Sequence, residues 1–270
     1  MENKAPSRVE IAVIGGTGLE SLLKGTKQIR IGTPYGLPPL IHLGEVQGRS
    51  VAFLPRHGLD HTVPPHKVNY RGSICALHRL GVERIVATNA VGAVNLGFRP
   101  GDLVVPHDLI DFSKQRSSTF YDDAPVTHVD FSQPYCPEVR ALLITKAKET
   151  SLTVRDQAIY VCTEGPRFET PAEIRMFRAL GCDVVGMTGV PEAVLARELG
   201  MCYAALCFVS NMAAGIGQRI TSREVTELSE SVGPKIAEVL DGVIRHLPQE
   251  RSCLCSSSIE ESRVGEAKKC

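Results

Sequence analysis

The sequence predicts a single α/β domain, and three observations carry that expectation. At 270 residues the chain is long enough for one large domain with a full hydrophobic core. Short apolar, β-branched runs alternate with segments of helical spacing, and no repeat or internal linker interrupts them. Gly- and Pro-rich turns close most of these runs. Lys plus Arg and Asp plus Glu both number 30. That balance gives no electrostatic reason to expect nucleic acid or an anionic membrane as partner. No apolar run is long enough to span a bilayer, and the polar residues 1–10 do not read as a signal peptide. A cytoplasmic protein is expected.

Residues 9–14 form a β-branched strand that ends in Gly15-Gly16-Thr17-Gly18, and residues 19–23 start a short helix. A strand entering a glycine turn and a helix start presents backbone N–H groups to an anion. The turn reads either as a phosphate cradle using the Thr17 hydroxyl or as a plain tight turn. It is neither the dinucleotide fingerprint, which needs a third glycine and a later acidic residue, nor a Walker loop. Residues 41–46 and 50–54 pair through Gln47-Gly48, a hairpin signal, and feed Pro55-Arg56-His57-Gly58-Leu59-Asp60-His61. Arg56 can fork onto a phosphate and His57 can hydrogen-bond the same anion; the alternative is a solvated loop. Residues 66–80 have helical spacing, with Ile74, Leu77 and Leu80 on one face and Gly81 as the stop. Residues 84–88 form a buried strand that ends in a small-residue loop, Asn89-Ala90-Val91-Gly92, and residues 102–105 form another strand. Residues 111–134 read as a long loop carrying Arg116, Tyr121 and His128, and residues 137–149 as an amphipathic helix.

The stretch from Tyr160 to Gly189 organises the rest. The apolar run 158–162 suits a buried strand and breaks at Glu164-Gly165-Pro166-Arg167. Thr170 before Pro171 is an N-cap followed by Pro at the first helical position. That helix runs to about Leu180, where Gly181 stops it. A second run, 183–186, leads to Met187-Thr188-Gly189. Two strand ends thus deliver Glu164, Arg167, Phe168, Glu169, Met187 and Thr188 to one sheet edge, where ligands bind in open α/β sheets. An aromatic face, a carboxylate, a thioether and a hydroxyl suit a flat heterocycle beside an anion. An ordinary strand–loop–helix, with Glu169 solvated and Met187 in the core, is the plainer alternative.

Residues 191–199 form a helix with Glu192 in its first turn, and residues 201–209 the last core strand. That strand runs into a fourth small-residue loop, Ser210-Asn211-Met212-Ala213-Ala214-Gly215. Thr221-Ser222-Arg223-Glu224 is a capping box for a final helix reaching about His246. Its apolar face is Val225, Leu228, Val232, Ile236, Val239 and Val243. Residues 1–248 therefore form the domain, and residues 249–270 a Ser- and Cys-rich tail expected to be mobile. Of nine cysteines, Cys75, Cys136, Cys162, Cys182, Cys202 and Cys207 read as small core hydrophobes. The tail holds Cys253, Cys255 and Cys270. A zinc site would need four well-placed ligands, and the tail offers no second pair or His partner. No His/Asp arrangement surrounds the thiols, which argues against thiol catalysis.

Taken together and in order, six pieces resemble one family over residues 9–246. They are Gly15-Gly16-Thr17-Gly18, Arg56-His57-Gly58 with His61, Asn89-Ala90-Val91-Gly92, Glu164-Gly165-Pro166-Arg167-Phe168-Glu169, Gly186-Met187-Thr188 with Val190-Pro191-Glu192, and Ser210-Asn211. The resemblance is to the trimeric purine nucleoside phosphorylases, in the branch of methylthioadenosine and methylthioinosine phosphorylases. It implies a mixed, partly barrel-like sheet flanked by helices, assembled as homotrimers or dimers of trimers. It implies phosphorolysis of a nucleoside to free base and pentose 1-phosphate, with orthophosphate as co-substrate and no metal or organic cofactor. By the resemblance Thr17, Arg56, His57, Asn89, Ala90 through its backbone, and Thr188 hold phosphate. Met187 lies under the ribose and Phe168 near the base. Asn211, Glu169 and His57 are the implied catalytic groups, with Ala213 beside the base and Val225 and His128 towards the 5′ end, His128 from a neighbouring subunit.

Methylthioadenosine members of this family usually carry Asp in the place of Asn211, another Asp two residues on, and Ser in the place of Glu169. Here Asn211, Ala213 and Glu169 resemble the readers of 6-oxopurines. An ionised Glu169 accepts from N1–H of hypoxanthine or guanine, whereas adenine offers a lone pair there. Val225 stands where ribonucleoside members place a His, and an apolar residue suits a 5′-methylthio group. Some relatives from hot environments end in Cys-x-Cys, which implies Cys253–Cys255 and Cys136–Cys202 disulfides. Three rival readings are weighed against this one. A non-catalytic nucleoside-binding protein would bind without product. A nucleoside hydrolase would want clustered aspartates for a metal, which the chain lacks. A dehydrogenase fails on the glycine fingerprint. S-methyl-5′-thioadenosine phosphorylase is the alternative within the family.

Overall fold

Alternating apolar runs build the centre of this molecule, a computed structural model describing residues 9–15, 25–58, 62–123, 126–217, 222–259 and 262. Within it the side chains of residues 222–225 and 258 are left aside. The first half holds β1 (Ile11–Gly15), β2 (Lys27–Ile29), β3 (Ile41–Val46), β4 (Arg49–Pro55), α1 (Tyr70–Arg79), β5 (Arg84–Ala93), β6 (Leu103–Val104) and β7 (Asp108–Phe112). The second half holds α2 (Pro137–Lys148), β8 (Val154–Arg155), β9 (Ile159–Thr163), α3 (Pro171–Ala179), β10 (Val184–Gly186), α4 (Gly189–Glu198), β11 (Cys202–Met212) and α5 (Ser222–His246).

The strands join in one mixed sheet of order β2-β3-β4-β1-β5-β10-β9-β7, and a side branch leaves β5 through β11 and β6 to β8. The mixed sheet is as expected, but its path does not close into a barrel. β1 runs parallel to β4 and β5, and β11 runs parallel to β5. β10 is antiparallel to β5 and parallel to β9. Side chains alternate along each central strand into two cores. Ala12, Ile14, Ile85, Ala87, Tyr203 and Ala205 face α1 and α4, where Ile74, Leu77, Ala193 and Ala196 meet them. Ile11, Val13, Val86, Cys202, Ala204 and Leu206 face α2 and α5, meeting Val139, Leu143, Ile236 and Val243. Burial on both faces explains why these strands read as continuous apolar runs.

Local signals act as expected in several places. Gln47 and Gly48 both take positive φ, 54° and 76°, which matches the twist of a two-residue hairpin. Thr170 caps α3 in a full capping box with Glu173. Other expectations are corrected. β5 continues through Asn89-Ala90-Val91-Gly92, so that segment is strand and not loop. β11 likewise continues through Ser210 to Met212, with a bulge between Val209 and Asn211. In both, pairing to a neighbouring strand carries small residues beyond the apolar run. β7 occupies the start of the expected long loop, because its half-buried residues find a parallel partner in β9. The expected helix at residues 19–23, Thr17, His61, Thr221 and Cys270 lie outside the described residues. No helix among the described residues is long and apolar enough to cross a membrane.

The tail is corrected too. Cys255 is buried, and a short 3-10 turn follows at Ser257–Ile259. Arg251 Nη1 donates to Gly200 O at 2.8 Å, and the Ser252 N and Oγ donate to Glu138 Oε2 at 2.9 and 2.8 Å. Neither implied disulfide is formed. The sulfurs of Cys136, Cys202, Cys253 and Cys255 instead gather in one group, and Cys202 Sγ stands 3.3 Å from Cys253 Sγ, across the two expected pairs.

Candidate active site

Four strand ends converge beside β5. The β4 end delivers Arg56, whose backbone N–H donates to Gly15 O of β1 at 3.1 Å. The Arg56 side chain is buried and forked onto Glu192 of α4, with Nε to Oε1 at 2.5 Å and Nη2 to Oε2 at 2.9 Å. Its Nη1 donates to Thr88 O at 3.0 Å, and the Tyr203 hydroxyl donates to Glu192 Oε2 at 2.8 Å. Burial opposes the Arg56 charge, but the attraction and hydrogen bonds of Glu192 outweigh it and raise the pKa. The guanidinium is therefore a permanent cation with spare N–H donors. His57 is half-buried, and its Nδ1 lies 2.8 Å from Val63 O. That contact fixes the ring and calls for a proton on Nδ1, since a carbonyl only accepts.

The next two residues of β5 after Thr88 are the informative ones. Asn89 is buried, its Oδ1 accepts from Thr188 Oγ1 at 3.0 Å, and its Nδ2 has no nitrogen or oxygen acceptor among the described residues. Ala90 is exposed in a strand whose other residues are all buried. A small residue thus opens the backbone of a core strand at the point where Thr188 arrives. Thr188 precedes α4, and its side chain makes no capping bond. Its amide and that of Gly189 turn to the buried Tyr160 hydroxyl, both at 3.4 Å. A Cβ at Gly186 would fall 2.1 Å from that hydroxyl, so only glycine fits where β10 passes Tyr160.

Beyond Ala90 the polar groups change character. Asn211 stands in register with Gly92. Its Nδ2 donates to Met212 O at 2.9 Å and its Oδ1 accepts from Ser210 Oγ at 2.7 Å. Because Met212 O only accepts, the amide orientation is determined, leaving one N–H and one lone pair for a ligand. Glu169 is buried and its Oε1 accepts from Thr163 Oγ1, at the end of β9, at 2.6 Å. Phe168 is 45% exposed. Met187 packs on the turn at Gly165, where φ is +64° and a Cβ would meet Met187 Sδ at 2.6 Å. Ala213 is buried and its amide donates to Ala93 O at 2.8 Å, so it lines the strand end through small size and not through a polar group.

Sequence reasoning missed two groups. The sequence marks Glu192 as a first-turn helix residue and as part of the Val190-Pro191-Glu192 piece of the resemblance, but not as the partner of Arg56; a buried acid facing a loop arginine leaves no spacing signal. Arg116 was noted only as part of the long loop. Its buried guanidinium donates to Tyr70 Oη at 3.1 Å and Thr163 O at 3.2 Å, and also to Met187 O and Glu164 O. It thereby ties the two strand ends that carry Glu169 and Met187. His128 is exposed on the same loop. The Val225 side chain and all of Thr17 lie outside the described residues.

The arrangement sets a buried cation and a hydroxyl beside a backbone opening, with an amide and a carboxylate beyond it. The phosphorylase superfamily matches residues 10–245. A probable S-methyl-5′-thioinosine phosphorylase of Methanopyrus kandleri is 49% identical over 94% of this chain and 99% of its own. A 6-oxopurine nucleoside phosphorylase of Pyrococcus furiosus is 48% identical over 93% and 97%. Among solved structures, a methylthioadenosine phosphorylase from an Antarctic soil metagenomic library superposes with a TM-score of 0.90 at 35% identity, covering 95% of this chain and 93% of its own. Coverage of that extent at that identity means that the chain belongs to the phosphorylase superfamily.

Proposed function

We propose that the chain catalyses phosphorolysis of 6-oxopurine nucleosides such as inosine, guanosine and 5′-methylthioinosine. The products are the free base and ribose 1-phosphate or its 5-methylthio analogue. The carrying observation is the opening at Ala90, bordered by the Arg56 cation, the Thr188 hydroxyl and the Asn89 amide, whose Nδ2 keeps one N–H beyond its contact with Cys207. Orthophosphate held there accepts hydrogen bonds from the spare Arg56 N–H groups, and the Thr188 hydroxyl turns from Asn89 to donate to a phosphate oxygen. His57 and Thr17 complete this set in our reading.

Phosphate then stands beside C1′ of a nucleoside whose ribose rests on Met187. As the glycosidic bond lengthens the sugar becomes cation-like, and the trapped anion stabilises it while approach costs little entropy. Charge gathers on the purine. Asn211 meets it, its free N–H at O6 and its Oδ1 accepting from a protonated N7, bonds that strengthen as the base leaves. Glu169 keeps Oε1 on Thr163 and offers Oε2 to N1–H, while Phe168 covers the ring and Ala213 leaves room beside it. Adenine has no N1–H to give, so this edge favours 6-oxopurines. Val225 is our candidate for the 5′ side, with His128 supplied by a neighbouring subunit of a homotrimer or dimer of trimers. The reading needs no metal or organic cofactor and is set in the cytoplasm.

The likeness to a methylthioadenosine phosphorylase structure favours one second reading, phosphorolysis of S-methyl-5′-thioadenosine. The test measures base release, with and without phosphate, from 5′-methylthioinosine, inosine, guanosine and 5′-methylthioadenosine at one concentration. Fast phosphate-dependent release from the 6-oxopurine substrates alone supports the proposal. Preference for 5′-methylthioadenosine supports the second reading. Saturable binding with no release from any of them leaves a nucleoside-binding protein.

A further inference from the structure

Away from the phosphate and base groups, the tail meets the core at four sulfurs. Cys136 is the N-cap of α2, Cys202 begins β11, and Cys253 and Cys255 come from the tail. Their sulfurs all lie within 4.8 Å of one another, and Cys136, Cys202 and Cys255 are buried. The zinc ligands missing from the tail are thus supplied by two core residues far away in sequence. Four thiolates at about 2.3 Å from a tetrahedral zinc stand about 3.8 Å apart, a spacing this group already approaches.

Charge supplies a second, independent observation. Arg84 pairs in register with Ile11 on one side and Cys202 on the other, so the three side chains share one face of the sheet. Its guanidinium is fully buried, and Nε, Nη1 and Nη2 have no hydrogen-bond partner among the described residues. The nearest carboxylate, Glu138 Oε1, stands 3.6 Å away, while Glu138 Oε2 is taken by Ser252 of the tail. A buried cation this poorly matched is costly unless negative charge lies in the same layer. Two disulfides would be neutral. A zinc ion with four thiolates carries a net charge of −2, and Arg84 and the α2 N-terminus both favour it.

We propose that Cys136, Cys202, Cys253 and Cys255 form a structural Zn²⁺ site that pins the tail to the domain. Binding displaces the four thiol protons to solvent and leaves every sulfur unoxidised. Backbone bonds set the core ligands beforehand: Cys136 N donates to Tyr203 O and Cys202 N to Glu83 O, each at 2.8 Å. On the tail, Arg251 pairs with Glu83 at 3.3 Å and brings the Cys-x-Cys segment to them.

The test is metal analysis and intact mass of the full chain, purified without chelator from zinc-supplemented cells. About one zinc per chain, surviving gel filtration, is expected, with no mass loss for disulfides. The Cys253→Ser/Cys255→Ser variant should lose the metal, keep phosphorolysis or ligand binding unchanged, and expose residues 249–259 to protease. Replacement by Co²⁺ should give the visible and thiolate charge-transfer bands of a tetrahedral sulfur site in the native chain and not in the variant. Zinc-free protein whose mass shows two disulfides would overturn the proposal. So would reduced protein that takes up neither zinc nor cobalt.

Discussion

Replacing Glu192 by Gln separates the structural role of Arg56 from the phosphate-binding role proposed for it. Both side chains of the Arg56–Glu192 pair are 3% exposed and joined by two hydrogen bonds, with a third from Tyr203 to the same carboxylate. Removing one charge of a buried pair costs about 3–5 kcal/mol, because the other is left without compensation. Gln keeps the shape and one acceptor, so the lower end, about 3 kcal/mol, is expected. At about 1.4 kcal/mol per decade this lowers the folding equilibrium constant about a hundredfold. Phosphate should partly reverse the loss, since it brings negative charge to the same guanidinium. Urea unfolding at several phosphate concentrations measures both effects through linkage. The variant should be less stable without phosphate and gain more stability per decade of phosphate than the native chain until saturation. Its KM for phosphate should fall. Equal stability without phosphate, or an equal phosphate increment, would show that Arg56 is balanced by something other than Glu192.

Three further outcomes are expected. Glu169→Ala should lower kcat/KM for inosine about a hundredfold, about 2.7 kcal/mol of transition-state stabilisation, and leave the phosphate KM unchanged; steady-state assays of both substrates read it. Arg116→Lys removes the fork that ties Met187 and Glu164, so nucleoside KM should rise about tenfold with little change in phosphate KM. Glu173 has its carboxyl held down to about 2, chiefly by the Arg167 hydrogen bonds and then by the Thr170 amide. Its folded value is depressed, so its stabilisation is present above the ordinary carboxylate range and is lost as pH falls through about 4.5 towards 2. The pair is largely exposed, so Glu173→Gln should cost no more than about 1 kcal/mol at neutral pH. The difference from the native chain should vanish near pH 2 in acid titrations of stability.

The strands and helices that sequence revealed are those with one dominant local cause. β3 and β4 follow from a positive-φ Gln47-Gly48 turn, and α3 from Thr170, Pro171 and Glu173. What escaped was set by partners. β2 has exposed Lys27 and Gln28 and exists because β3 pairs with it. β8 is two residues long and held by β6. Asn89 and Asn211 looked like loop residues because nothing in their own chemistry favours a strand; β5 and β11 pair past them. The same division holds in the candidate site. Groups carried by glycine-marked turns, such as Arg56 and Glu169, were legible. Glu192, Arg116 and the meeting of Cys136 and Cys202 with the tail depend on contacts between segments distant in sequence.

The branch at β5 explains how side chains of such different character gather in one place. β4, β1, β5 and β11 run in one direction, so their ends bring Arg56, Ala90 and Asn211 to the same side. β10 runs the other way against the last residues of β5, with Val185 opposite Gly92. Its exit therefore doubles back along β5, and Thr188 reaches Asn89, three residues of β5 away from Gly92, where Asn211 stands. The antiparallel join places Thr188 beside Asn89 and leaves Asn211 beside Gly92, so the distance between them is fixed by strand register. Because one bulge at Val209/Asn211 sets where Asn211 falls beside β5, a one-residue change there should move the Asn211 amide and, on the proposed function, alter base preference in steady-state assays while the phosphate KM stays the same.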